Sequence, residues 1–237
     1  LPVLTQRLMV AAIGLPILAA MIASPEPVFA AAIEVILAIA AFELVRSAQT
    51  DDGELTAPVG AAAAAAVLVA LTRTGLGPSI WALLLPTVLA LMLLIRGRTT
   101  FGDSLTGWWL GAVLYLGVLG GHLVLLREVD EGQRWLLVLL GTVFATDTGA
   151  YAIGRLFGRH KMAPQISPKK TWEGAVGGFA FGAAAGVAVP LLLNLDVTSL
   201  TIVLIAVGAP IAAIGGDLVE SALKRRLGVK DMSNLLP

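Results

Sequence analysis

"SLTIVLIAVGAPIAAIGGDLVESALKRRLGVKD", residues 199–231, is the stretch on which the fold turns. It carries no charge from Ser199 to Gly216, then Asp217 and Glu220, then the cations Lys224, Arg225 and Arg226. A bilayer span needs about 20 mostly apolar residues, so the run predicts a transmembrane helix whose cations mark its exit from lipid. The acids are the anomaly, because an acid at mid-span costs about 2.5–3.5 kcal/mol even on lenient scales. Either this is a helix end that tolerates charge, or it is half of an active site.

Working outward, similar runs recur at roughly 8–24, 27–45, 57–72, 79–95, 107–126, 135–154 and 173–193, with 199–222 the last. Hydrophobic residues make up 57% of the chain and charged ones only 14%, against roughly 25% charged in soluble domains. The pattern predicts an all-α, polytopic transmembrane helix bundle of about eight spans. We expect one integral membrane domain over 1–237, in which 1–134 supplies N-terminal spans and 135–237 carries the chemistry on spans and loops. The first run, after Arg7, mimics a signal peptide, but the runs that follow it exclude that reading. The absence of cysteine excludes disulfides, zinc–thiolate sites and cysteine nucleophiles. His122 and His160 are too far apart in sequence to suggest a histidine metal site.

The loops alternate in charge. With the N-terminus in the cytoplasm, thirteen of the sixteen Lys and Arg face that side, leaving Arg73, Arg127 and Arg134 outside. The positive-inside rule then predicts that loop 155–172 and the segment after 223 face the cytoplasm, and the protein is expected in the plasma (inner) membrane. Trp108, Trp109 and Trp135, at span ends, are expected as interfacial anchors. The alanine run 61–66 and the four-residue spacing of Gly178, Gly182 and Gly186 predict close helix packing.

Depth sorts the membrane acids. At 1.5 Å per residue, Glu43 and Glu220 lie about 5–6 Å from Arg46 and Lys224, close enough to snorkel to the surface. Asp217 lies about 10 Å below Lys224 and Asp147 about 12 Å below Arg155, at similar depth on different helices. Two carboxylates converging under a basic surface suit a hard divalent cation such as Mg2+; the alternative is a hydrogen-bonded polar pair between helices. Glu34, about 18 Å from Arg46 on the same rise, is assigned no role. Asp217, Ser221 and Lys224 or Arg225 share a helical stripe, offering an acid, a hydroxyl and phosphate-binding cations. The cations would also suit any helix C-terminus. Ser167, Lys169, Lys170 and Thr171 precede a glycine-rich helix whose N-terminus offers free N–H groups to anions, unless Glu173 caps that turn.

These residues resemble the phosphatidate cytidylyltransferases, or CDP-diacylglycerol synthases. That family's pattern has Ser, two residues, Lys-Arg, four residues, Lys-Asp, a small residue and an apolar-Pro ending. Here it reads Ser221, Lys224-Arg225, Lys230-Asp231, Ser233 and Leu236-Pro237, with Gly216-Asp217 just before. An upstream block is similar too: Asp147, Ala150-Tyr151, Gly154, Gly158, Ser167-Pro168, Lys170-Thr171 and Glu173-Gly174. The spans before about residue 140 match only as variable apolar segments.

The resemblance implies condensation of CTP with phosphatidic acid in the lipid bilayer, giving CDP-diacylglycerol and pyrophosphate. It implies Mg2+, with a second cation allowed, held by Asp217 with Asp147 nearby. Lys224, Arg225, Ser167, Lys169, Lys170, Thr171 and Lys230 would serve the phosphates, Ser221 an oxygen, and Asp231 the metal site or the orientation of Lys230. The family pattern continues beyond Pro237 with an acid expected to share the metal with Asp217, so the chain as it stands is expected to lack one ligand. A homodimer is implied; nucleic acid is not an expected partner. A CTP-dependent lipid kinase of the polyprenol or phytol type is the alternative enzyme. An ion-coupled transporter with Asp147 and Asp217 on its path is the alternative from another class.

Overall fold

The computed structural model of the chain describes residues 3–49, 54–72, 83–96 and 104–229. It is an all-α membrane bundle. Five helices among the described residues are long and apolar enough to span a bilayer: Glu26–Ala48, Leu105–Glu128, Gly132–Phe157, Trp172–Leu192 and Ser199–Leu227. Three shorter apolar helical stretches, Ala12–Ala23, Thr56–Thr72 and Pro86–Arg96, stand where the remaining runs were expected. The contacts divide into two compact units, Leu1–Val129 with Arg226–Pro237, and Asp130–Arg225.

The first unit contains α1 (Val3–Ala23), α2 (Glu26–Ala48), α3 (Thr56–Thr72), α4 (Leu84–Arg96), α5 (Leu105–Ala112) and α6 (Gly120–Glu128). A π-helical segment, Val113–Leu119, joins α5 to α6 as one span. Pro25 at the N-cap, with a second proline in the first turn, starts α2 where an N–H has no helical partner to lose. Glu26 in that turn pairs with Arg127 of α6 at 3.4 Å. The alanine run does what its composition predicts, since Ala61 and Ala65 are fully buried on a helix that packs against α2 and the span following Ser104. Trp108 departs from expectation. It is 6% exposed and belongs to the core, because the ring sits on the face of α5 that packs inward.

The second unit contains α7 (Gly132–Phe157), β1 (Lys161–Ala163), β2 (Ser167–Thr171), α8 (Trp172–Leu192) and part of α9 (Ser199–Leu227). Helices α7 and α8 run antiparallel in the most extensive helix–helix contact among the described residues. A Cβ at Gly178 would meet the Thr146 carbonyl oxygen at 2.8 Å and Ala150 Cβ at 2.9 Å. One at Gly182 would strike Thr146 Oγ1, and one at Gly186 would meet Ala206 Cα of α9 at 2.9 Å. The glycine stripe therefore lets α8 approach a neighbour on each side, as its spacing predicted. Apolar side chains on α9, among them Leu200, Val203, Leu204 and Ile211, are exposed, as expected of a lipid-facing surface.

The stretch expected as a plain loop holds an antiparallel hairpin, with Lys161 opposite Thr171 and Ala163 opposite Ser167. A shift of register separates the two pairs, so the ladder is irregular and short. Beyond this hairpin, the regular structure among the described residues is helical.

Candidate active site

A cavity of about 720 Å³ opens within the second unit where α7, α9 and the hairpin meet. Asp147, Tyr151 and Arg155 reach it from α7 at four-residue spacing, so one helical stripe presents an acid, a phenol and a cation. Ala213, Asp217 and Glu220 reach it from α9, and Lys169, Lys170 and Thr171 from β2. The sequence places these groups on three separate segments; the hairpin brings Lys170 of the third to Asp217 on α9.

The Lys170 ammonium stands 2.6 Å from Asp217 Oδ2. It has no aligned hydrogen bond, so the contact acts as an ion pair. Asp147 lies within electrostatic reach of both Asp217 and Lys170. Two carboxylates and one ammonium thus line the same cavity. At its margin Glu220 pairs with Lys224 at 2.6 Å, and Arg155 donates to the Tyr151 hydroxyl at 2.8 Å.

The hairpin is fastened at both ends. Thr171 is the N-cap of α8, its hydroxyl accepting from Gly174 N at 3.2 Å. Glu173 does not cap the turn. Its carboxylate faces back to the incoming strand, accepting from Arg159 N at 3.1 Å and His160 N at 3.2 Å and meeting His160 Nδ1 at 2.5 Å. At the far end Arg225 Nε donates to the Ile166 carbonyl at 3.1 Å.

Of the residues singled out by sequence, Asp147, Lys169, Lys170, Thr171 and Asp217 come together on this cavity. Ser167, Ser221, Lys224 and Arg225 do not line it: Arg225 holds the hairpin turn, and Lys224 is engaged by Glu220. Lys230 and Asp231 lie outside the described residues. Tyr151, Arg155 and Glu220 join the lining without having been assigned a role. The stripe from Asp147 through Tyr151 to Arg155 was visible as i, i+4, i+8 spacing. Glu220 was masked by its neighbour Lys224, which explains it equally well as a surface pair.

Residues 5–237 match the Cytidylyltransferase family. The chain belongs to that family. Among curated relatives, this cytidylyltransferase-family chain is 36% identical over 150 residues to the phosphatidate cytidylyltransferase of Staphylococcus epidermidis, covering 63% of the chain and 56% of the relative. It is 32% identical over 151 residues to that of Bacillus subtilis, covering 63% and 55%. To that of Mycobacterium tuberculosis it is 43% identical over 108 residues, covering 46% and 33%. The matched region spans about half the length of the Staphylococcus and Bacillus relatives and a third of the Mycobacterium one.

The donors on the cavity fit Mg2+ chemically. Mg2+ is typically held by one or two carboxylates, with water and substrate phosphates completing its shell, and Asp147 and Asp217 are such a pair. Among the described residues no group of three or more acids or histidines gathers to form an all-protein cage.

Proposed function

We propose that this chain is the catalytic part of a phosphatidate cytidylyltransferase, which joins CTP to phosphatidic acid to give CDP-diacylglycerol and pyrophosphate. The observation that carries the reading is the meeting of Asp147, Asp217, Lys169 and Lys170 on one cavity in a membrane bundle. It is supported by the names of the relatives matched by the same region.

The reaction places two anions side by side. A phosphate oxygen of phosphatidate attacks the α-phosphorus of CTP, and the bond from that phosphorus to the bridging oxygen of pyrophosphate breaks. No covalent protein nucleophile is required; the protein must neutralise charge and hold the partners in line. Asp147 and Asp217 would hold Mg2+, whose bound charge supplies neutralisation to the phosphates. Lys169 and Lys170 serve the phosphates as point charges, and Arg155 can bind them bidentately at the cavity margin. Arg225 and Glu173 keep the hairpin in place while the lysines act. Phosphatidate keeps its tails in lipid beside the exposed apolar helix faces and presents its phosphate at the cavity. We place the hairpin and the N-terminus in the cytoplasm, at the inner membrane, on the distribution of Lys and Arg.

Purified protein incubated with phosphatidate, Mg2+ and CTP labelled in the cytosine ring tests this. Label in the lipid product, with one pyrophosphate released per turnover, is the expected result. A phosphorylated lipid without cytidine would replace the reading by a CTP-dependent lipid kinase. Solute flux in liposomes without CTP consumption would replace it by a transporter.

A further inference from the structure

Lys170 occupies an unusual position for a phosphate-binding lysine. Its side chain retains 20% of its exposure while its partner Asp217 retains 53%, so the cation is the more deeply set member of the pair. Its charge is directed at Oδ2 of the carboxylate proposed to hold the divalent cation, and Asp147 lies within electrostatic reach of both. The nearby cations are differently engaged: Lys224 by Glu220, Arg155 against Tyr151. Two carboxylates and one ammonium carry a net single negative charge. Two carboxylates and a divalent cation are neutral without the lysine. An ammonium and a divalent cation at one carboxylate repel, by several kcal/mol at about 4 Å and an effective dielectric of about 20.

We infer that Lys170 is an internal cation that competes with the divalent metal for Asp217: it holds the carboxylate until the metal takes that oxygen, and the released ammonium turns to the phosphates in the same cavity. The inference rests on the cytidylyltransferase reading of the acid pair. The four-carbon stem of lysine suits the exchange, because it carries a compact charge through several rotatable bonds. Metal arrival and phosphate capture are thereby coupled, so the lysine serves the substrate only after the acids have been neutralised.

The test uses the full-length protein in detergent, Mn2+ as the probe and no nucleotide. Electron paramagnetic resonance should find Mn2+ bound about fivefold or more tightly by Lys170→Met than by the unaltered protein, the lower end of ordinary site–site coupling. Equal or weaker binding overturns the inference. A second arm needs no variant. Acetylation of Lys170 by an amine-reactive ester, read by mass spectrometry against exposed Lys161, should rise with Mn2+ occupancy; constant or falling labelling overturns the inference. Mn2+ binding that survives Asp217→Asn undiminished sinks the reading of the acid pair and this inference together. Binding lost in Asp217→Asn, with labelling of Lys170 indifferent to Mn2+, sinks this inference alone.

Discussion

Lys170 of β2 and Asp217 of α9 meet at 2.6 Å, although the whole of α8 separates them in the chain. The pair ties the hairpin to the helix that carries the acid. Altering Asp217 removes the partner of the more deeply set Lys170 ammonium, whereas Asp217 is half exposed and stays solvated without Lys170.

Replacing Asp217 by Asn keeps the shape and removes the charge. Incorporation of cytosine-labelled CTP into lipid should fall by about 10²–10³-fold, the usual loss when a main electrostatic contributor to a transition state is removed. Membrane insertion, read by extraction into detergent and gel filtration, should be unchanged. Near-normal turnover in the variant would remove Asp217 from the chemistry.

Thr171 links the hairpin to α8 through a single hydroxyl. Thr171→Val keeps the volume and loses the cap on Gly174 N, which should cost about 1 kcal/mol of local stability. Thr171→Ser keeps the acceptor and should behave as the unaltered protein. Because Lys169 and Lys170 immediately precede the cap, the Val variant should raise the KM for CTP several-fold more than it lowers kcat. A uniform fall in kcat with KM unchanged would indicate a general packing defect instead.

The spans were legible because long uncharged runs such as 199–216 have one physical solution in lipid. The glycine spacing on α8 was legible for the same reason, since small residues at four-residue intervals make one helical face. The hairpin was not. Strands of three and five residues, with Pro168 inside the second, are too short for their alternation to stand out from a basic loop. Nor could sequence find the Arg225–Ile166 and Lys170–Asp217 contacts, which join groups whose separation in the chain carries no period. Arg225 is expected as a phosphate ligand because guanidinium groups suit phosphate; in the fold its Nε donates to the Ile166 carbonyl. Trp108 looked like an anchor because it stands at the start of the apolar run 107–126, yet the face of its helix, not its place in the run, set its burial.

Glycine substitutions separate packing from propensity. At Gly178 a methyl group would press on the Thr146 carbonyl and Ala150 Cβ, so Gly178→Ala should destabilise the α7–α8 contact by about 1–3 kcal/mol. At Gly208 a Cβ meets nothing within 4 Å, so Gly208→Ala should be neutral or stabilise α9 by up to about 0.5–1 kcal/mol through reduced backbone freedom. Thermal unfolding in detergent, followed by size-exclusion fluorescence, gives the order. A reversed order would mean that the close approach of the two helices is not what Gly178 serves.

Orientation can be checked without removing any native thiol, since the chain has no cysteine. Gln165 is exposed in the hairpin turn, and Asp130 is exposed before α7, at the opposite end of a single spanning helix. Gln165→Cys and Asp130→Cys must therefore react with a membrane-impermeant maleimide from opposite sides. The charge distribution requires Gln165→Cys to be labelled in inside-out vesicles and Asp130→Cys in intact, right-side-out ones. CTP is a cytoplasmic nucleotide, so the same result is needed for the cavity to meet its proposed substrate. Labelling of Gln165→Cys from the outside would place the hairpin lysines away from CTP and break the link between fold and proposed reaction, whatever the acids on α7 and α9 bind.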